Sequence, residues 1–210
     1  MSFTATPDQI QTGAPLVSIL IPVFNAEKYL PECLDSALGQ SLKKIEIICI
    51  DDASTDRSAE IIRGYQQTDQ RIKLIKHERN LGEGAARNTG IDHAKGDYVF
   101  HLDADDTIPS SSLEKLWGTA SQQRSEMVKG GFSISTFDGN LIAKNHEASS
   151  KPVFNIRVSD SSFLKRIPVS HCSYLYERSF LERNSLRYRT DMTVGLDLVA
   201  LSAALIAASR

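Results

Sequence analysis

Residues 98–109 read YVFHLDADDTIP: an apolar run, Tyr98 to Leu102, that ends abruptly in the carboxylates Asp103, Asp105 and Asp106. A continuous apolar run without alternation marks a strand covered on both faces. Three adjacent carboxylates repel one another unless a cation is near. The stretch therefore joins a buried strand to a charged tip, and its place among the other elements decides what that tip can do.

Working back from it, three strand–helix units precede this strand. LVSILIPVF (16–24) is another buried strand. LPECLDSAL follows, with Leu30, Cys33, Leu34, Ala37 and Leu38 at the i, i+3, i+4, i+7, i+8 positions of an amphipathic helix. IEIICID (45–51) is a second strand. STDRSAEIIRGY is a helix, for which Ser54 and Thr55 are the expected caps. IKLIKH is a third strand, GAARNTGIDHA a helix, and SSSLEKLWGTASQQ a helix after the quoted strand. EMVKGGFSIST reads as one further strand. Such alternation with short links implies a mostly parallel sheet between helices. Ligands bind beyond the carboxyl ends of such strands, where PVFN (22–25), DDAST (51–55) and DADD (103–106) converge on one rim.

Composition sets broad bounds. The chain has 210 residues, 41% hydrophobic and 24% charged, enough for one domain with a sizeable core plus an appendage. A net charge of -2 gives no footprint for nucleic acid. Between Ile156 and Asp191 seven basic residues stand against four acidic ones. That local excess suits a solvated helix face or, as a second reading, an anionic surface such as a membrane periphery. Cys33, Cys49 and Cys172 are too few and too scattered for a disulfide framework or zinc knuckle, and Cys33 and Cys49 occupy apolar positions of a helix and a strand. Residues 1–14 read as a disordered leader without the basic and apolar regions of a signal peptide, and no apolar run reaches the ~20 residues of a membrane span. The expected location is cytoplasmic, at most peripheral to the inner membrane face.

Two motif readings compete for the rim. Gly82-Glu83-Gly84-Ala85-Ala86-Arg87 begins like a dinucleotide fingerprint, but Arg87 stands at the third glycine position and the motif follows the third strand. A glycine turn into a helix remains, with Arg87 and the helix start facing a phosphate or a carboxylate. Asp103-Ala104-Asp105-Asp106-Thr107 also resembles the haloacid-dehalogenase phosphatase motif, which would make Asp103 the nucleophile and Asp105 the acid/base. That motif ends the first strand of its domain, and no second Asp-Asp pair lies beyond Asp106.

VSILIPVFNAEKYLPECLDSAL, IEIICIDDASTD, RNLGEGAARNTGIDHAKGDYVFHLDADD and LYERSFLERNSLRY together resemble the family-2 glycosyltransferases of the GT-A fold, across Pro15 to Phe137 and again from Ser170 to Leu198. The resemblance implies an α/β, Rossmann-like, mostly parallel sheet flanked by helices. Residues 15–137 would form the nucleotide-sugar-binding core and 138–210 a smaller acceptor-side segment. It further implies metal-dependent inverting transfer from a nucleoside-diphosphate sugar, UDP-linked by family preference, to a saccharide or lipid-linked acceptor in surface polysaccharide assembly. Mn2+ or Mg2+ would be held by Asp105, with Asp103 and Asp106 supporting and Ala104 between them; Asp103 would also meet the ribose. Pro22, Phe24 and Asn25 would line the base pocket, with Asp52 accepting hydrogen bonds from the base and Asp51 its neighbour. Asn80, Gly82 and Arg87 would close the base and ribose side. The catalytic base would be Asp197, although Leu196 stands where the family has glutamate, and His171 is the alternative. That departure leaves open a non-catalytic nucleotide-sugar-binding domain. The chain stops inside an apparent helix, where the family continues, so a fragment or a small member is expected.

Overall fold

The computed structural model describes residues 13–135, 141–145, 171–192, 200, 202–204 and 207. Residues 1–12 of the expected leader, the Gly195–Asp197 stretch and most of the acceptor-side segment lie outside the described residues.

The strand–helix alternation is present: β1 (Val17–Val23), α1 (Leu30–Leu38), β2 (Ile45–Asp51), α2 (Ser58–Thr68), β3 (Ile72–Lys76), α3 (Glu83–His93), β4 (Tyr98–His101) and α4 (Ser112–Gln123). After these come β5 (Met127–Lys129), β6 (Phe132–Ser135), β7 (Leu141–Asn145), β8 (Tyr174–Glu177) and α5 (Arg178–Arg183). Six strands form one sheet in the order β3-β2-β1-β4-β8-β5, with β6 and β7 paired separately. β1 pairs parallel with β2 and β4, β2 parallel with β3, and β8 antiparallel with both β4 and β5.

Strand periodicity divides the core in two. Ile19, Ile21, Ile47 and Cys49 pack under α1, α2 and α4, with Leu30, Leu34, Ile62 and Leu113. Leu20, Ile48, Ile50 and Val99 pack under α3 and α5, with Ala86, Ile91, Phe180 and Leu181. Because β1, β2 and β4 bury both faces, continuous apolar runs are what these strands require, whereas the edge strand β3 is only partly buried. The α1 periodicity is met: Leu30, Cys33, Leu34 and Ala37 are buried and Leu38 is partly so.

EMVKGGFSIST is not one strand. Gly130 and Gly131 interrupt it, and β5 and β6 join different sheets. The Gly130 N–H donates to the Ser173 carbonyl (2.6 Å), extending the β5–β8 ladder by one rung, and the chain leaves the main sheet after it.

At the amino ends of the strands, Glu46 is almost fully buried and satisfied. It accepts from the Ser18 hydroxyl (2.6 Å), the Lys95 N–H (2.6 Å) and Lys73 Nζ (2.5 Å), while the Gly96 N–H donates to Ser18 Oγ (2.9 Å). Burial pushes the Glu46 carboxyl up, and the bonds from Lys73, Ser18 and Lys95 outweigh it, leaving it below its ordinary value. Gly96 is required here, because a Cβ would meet Ser18 N at 2.6 Å.

The four basic residues of the tail that are described are each ion-paired, and Arg157, Lys165 and Arg166 lie outside the described residues. Arg178 pairs with Glu182, Arg183 with Glu126, Arg187 with Asp92 and Arg189 with Asp191. No helix among the described residues is long and apolar enough to cross a membrane.

Candidate functional site

Strand order reverses at β1, with β2 and β3 on one side and β4 on the other. A crevice beyond the carboxyl ends at such a switch point is the usual ligand site of an open α/β sheet.

On the β1–β2 side, two loops brace each other. Asn25, at φ 50, accepts from the Thr55 N–H (2.8 Å) and hydroxyl (3.2 Å), and its own N–H donates to Ser54 Oγ (3.0 Å). Ser54 and Thr55 therefore do not cap α2 as expected; that helix begins later, at Ser58, and Asp56 Oδ1 accepts the Ser58 N–H (2.9 Å). The predicted caps are instead drawn into the crossing from β1. Ala53, at φ 60, holds the sparsely populated left-handed conformation beside them. Pro22 is half-buried within β1, and Phe24 presents an aromatic side chain 51% exposed at its end.

Asp51 ends β2 and Asp52 follows it; both are buried, and they turn to different partners. Asp51 Oδ1 accepts the Ser54 N–H (2.9 Å), and its other oxygen lies 3.3 Å from Lys76 Nζ. Asp52 faces the loop before α3: Oδ1 accepts the Leu81 N–H (2.9 Å) and meets His77 Nδ1 (2.6 Å), while Oδ2 accepts the Gly82 N–H (2.8 Å). Gly82 adopts φ 90, a conformation open to glycine, and exposed Asn80 also accepts its N–H (3.0 Å). Asp52 thus moors the Asn80–Gly82 loop to the tip of β2. His77 completes this mooring through Thr89 Oγ1 (2.9 Å), a role that no spacing in the sequence advertised.

The charged tip of β4 is a turn. The Asp106 N–H donates to the Asp103 carbonyl (3.0 Å), so Ala104 and Asp105 are its central residues. Ala104 is buried and seats the turn on the core, whereas Asp105 is exposed at the corner. Closure of the turn brings Asp103 and Asp106 to one side. Together with Cys172, they offer three ligand atoms within 4.8 Å of one another; Asp105 is not in that group. Two carboxylates suit a hard divalent cation, and a sulfur extends the set toward softer ions. The donor chemistry fits a single divalent ion.

Asp103 is held from several directions. Fully buried Arg87 donates through Nη2 to Oδ1 (2.6 Å) and also pairs with Glu83. The Cys172 thiol donates to Oδ2 (3.2 Å), and the Cys33 thiol to the backbone carbonyl (3.4 Å). Arg87 therefore faces a carboxylate, one of the two partners its position allowed. Burial pushes the Cys172 thiol well up, and Asp103 adds to the rise. Cys172 was legible only as one scattered cysteine, because its contact depends on a pairing between elements 69 residues apart. Of the two candidate bases, Asp197 lies outside the described residues, and His171 opens the short 3-10 turn His171–Ser173, its side chain also outside them.

The comparisons bear on the fold and the family. The Glycosyl transferase family 2 model matches residues 18–184. The uncharacterized glycosyltransferase EpsJ of Bacillus subtilis is 36% identical over 187 residues, covering 87% of this chain and 54% of that protein. The chain spans about half the length of the curated relatives it matches. Among solved structures, S. aureus TarS 1–349 in complex with UDP-GlcNAc has a TM-score of 0.75 at 21% identity, covering 91% of this chain and 53% of that one. The mannosyltransferase PcManGT of Pyrobaculum calidifontis, in complex with GDP-Man and Mn2+, has a TM-score of 0.65 at 22% identity, covering 91% and 52%. These likenesses carry the GT-A fold. The phosphatase template loses its footing, since the carboxylates end the fourth strand and the family match spans most of the chain. A doubly wound sheet, a charged rim at its switch point and this match together place the chain in glycosyl transferase family 2.

Proposed function

We propose that the chain is the donor-binding and catalytic part of a divalent-metal-dependent inverting glycosyltransferase that takes a sugar from a UDP-linked donor. What carries this reading is the turn at the tip of β4, which gathers Asp103 and Asp106 at the sheet's switch point beside the braced β1–β2 loops. TarS with UDP-GlcNAc and PcManGT with GDP-Man and Mn2+ support the donor class and the cation.

In this reading Phe24, Pro22 and Asn25 receive the base, with Asp51 and Asp52 behind them. Asn80, Gly82 and Arg87 close the base and ribose side, and Asp52 keeps that loop in place. Asp103 and Asp106 hold the divalent cation, with Asp105 the third carboxylate of the same turn. The ion supplies charge neutralisation for the departing nucleoside diphosphate. Asp197 takes the proton from the acceptor hydroxyl as that oxygen attacks the anomeric carbon on the face opposite the leaving group, which inverts it; His171 is the alternative base. The acceptor is a saccharide or lipid-linked saccharide, and the reaction serves surface polysaccharide assembly on the cytoplasmic face.

One residue favours a second reading. Leu196 replaces the glutamate of the family pattern, as expected of a domain that binds nucleotide sugar without turning it over. Incubation of the chain with UDP-sugars, Mn2+ and saccharide acceptors, following UDP release, separates the two. Transfer or donor hydrolysis that disappears in Asp197→Asn, with UDP binding kept, is the expected result. UDP binding without turnover in the wild type would establish the non-catalytic reading. Failure to bind any nucleotide diphosphate would overturn both.

A further inference from the structure

The ligand cluster at the tip of β4 contains a sulfur, and the fold explains why. Antiparallel pairing of β4 with β8 sets Tyr98 opposite Glu177, Val99 opposite Tyr176 and Phe100 opposite Leu175. Continued beyond the strands, this register sets Asp103 opposite Cys172. Cys172 sits in the 3-10 turn His171–Ser173 that leads into β8, and its Sγ lies 3.2 Å from Asp103 Oδ2. The sulfur and one oxygen each of Asp103 and Asp106 lie within 4.8 Å of one another. The other two thiols are placed differently: Cys33 donates to the Asp103 backbone carbonyl, and Cys49 is buried within β2. Neither belongs to the cluster.

We propose that Cys172 is a direct thiolate ligand of the divalent cation held by Asp103 and Asp106, so that the site is a mixed oxygen–sulfur centre and not an all-oxygen one. The inference rests on the reading of this rim as a cation site for a nucleotide sugar. On coordination the thiol proton leaves to solvent and the sulfur lone pair binds the ion, as metal-bound thiols do. A thiolate favours Co2+, Zn2+ or Cd2+ over Mg2+, with Mn2+ between them in hardness. The centre thus discriminates among divalent ions in a way that carboxylates and phosphate oxygens alone do not.

The test is titration of the whole chain with Co2+, with and without UDP, read by near-ultraviolet absorption. Thiolate-to-cobalt charge transfer saturating at one ion per chain is expected in at least one condition. Cys172→Ser should abolish it while the far-ultraviolet circular dichroism stays that of the wild type, and Cys49→Ala should retain it. Cd2+ affinity in Cys172→Ser should fall by at least about tenfold. A wild-type cobalt spectrum without charge transfer in both conditions would overturn the inference. So would its persistence in Cys172→Ser, or its loss in Cys33→Ala instead. Calorimetry of wild-type chain with UDP and Mn2+ judges the underlying reading separately: UDP binding without the sulfur signature sinks only the thiolate, whereas absent UDP binding sinks the donor-site reading whatever the cobalt spectrum shows.

Discussion

At the amino ends of the strands, Glu46 accepts from Ser18, Lys73 and the Lys95 N–H, and the chain itself supplies those partners. At the carboxyl ends, Asp103 is held by Arg87 and two thiols, and a turn then places Asp106 beside it instead of at a distance. Both ends bury or half-bury carboxylate and each sets one cation against it, Lys73 against Glu46 and Arg87 against Asp103, but the second gathers further carboxylates, Glu83 and Asp106, around the same point. Carboxylates closed by their own chain are structural devices, whereas convergent carboxylates with a neighbouring sulfur form a cluster whose repulsion is relieved when a cation binds. The same sheet thus has a sealed end and a working end.

The largest effect is expected at the working end. Asp103→Ala leaves the fully buried Arg87 guanidinium with Glu83 as its remaining ion-pair partner among the described residues. Breaking a buried pair from one side costs about 3–5 kcal/mol, and the low end, about 3 kcal/mol, is expected with Glu83 still present. Urea denaturation measures the loss, and the same variant should lose cation-dependent nucleotide binding. If it kept that binding, the contrast between the two ends would break.

Gly96→Ala attacks the sealed end. Its Cβ would lie 2.6 Å from Ser18 N and 2.8 Å from Val17 C, backbone atoms that cannot turn aside. A loss of about 1–3 kcal/mol is expected from such overpacking. UDP affinity should be preserved, and a matching fall in affinity would show that the two ends are not independent.

A smaller, pH-dependent effect belongs to Glu46. Its carboxyl titrates lower in the folded chain than in the unfolded one. Its contribution is therefore complete above the unfolded value of about 4.3 and is lost as pH falls through the lower folded value. Stability measured from pH 6 downward should decline less steeply in Glu46→Gln than in the wild type. Equal slopes would show that Glu46 does not carry the pH dependence of stability. The smallest change is expected from Asn25→Ala, which removes the acceptor for Thr55 and should cost about 1 kcal/mol in thermal or urea unfolding.

The distribution of legible features follows from the range of the interactions. β1, β2 and β4 were readable because burial on both faces leaves an unbroken apolar run, and α1 because its buried side chains follow its own periodicity. β8 has four residues and owes its place to pairing with β4 and β5, which lie far away in sequence. The rim itself was legible as three polar clusters at strand ends. The turn that pairs Asp103 with Asp106 and leaves Asp105 at the corner depends on one backbone hydrogen bond, which spacing does not encode. Ser54 and Thr55 look like helix caps locally, yet Asn25, some thirty residues earlier, takes their hydrogen bonds. Long-range partners decided β8 and the fate of Ser54 and Thr55, whereas the Asp103–Asp106 turn is local but rests on a single hydrogen bond.

Titration calorimetry of the chain with UDP, in Mn2+ and then in EDTA, reads out whether the carboxylates at the tip of β4 hold a cation for the nucleotide. UDP binding at least about tenfold tighter with Mn2+ than with EDTA is expected, a difference of about 1.4 kcal/mol that disappears in Asp106→Asn. Equal affinity in Mn2+ and EDTA, or a full Mn2+ enhancement in Asp106→Asn, would contradict it.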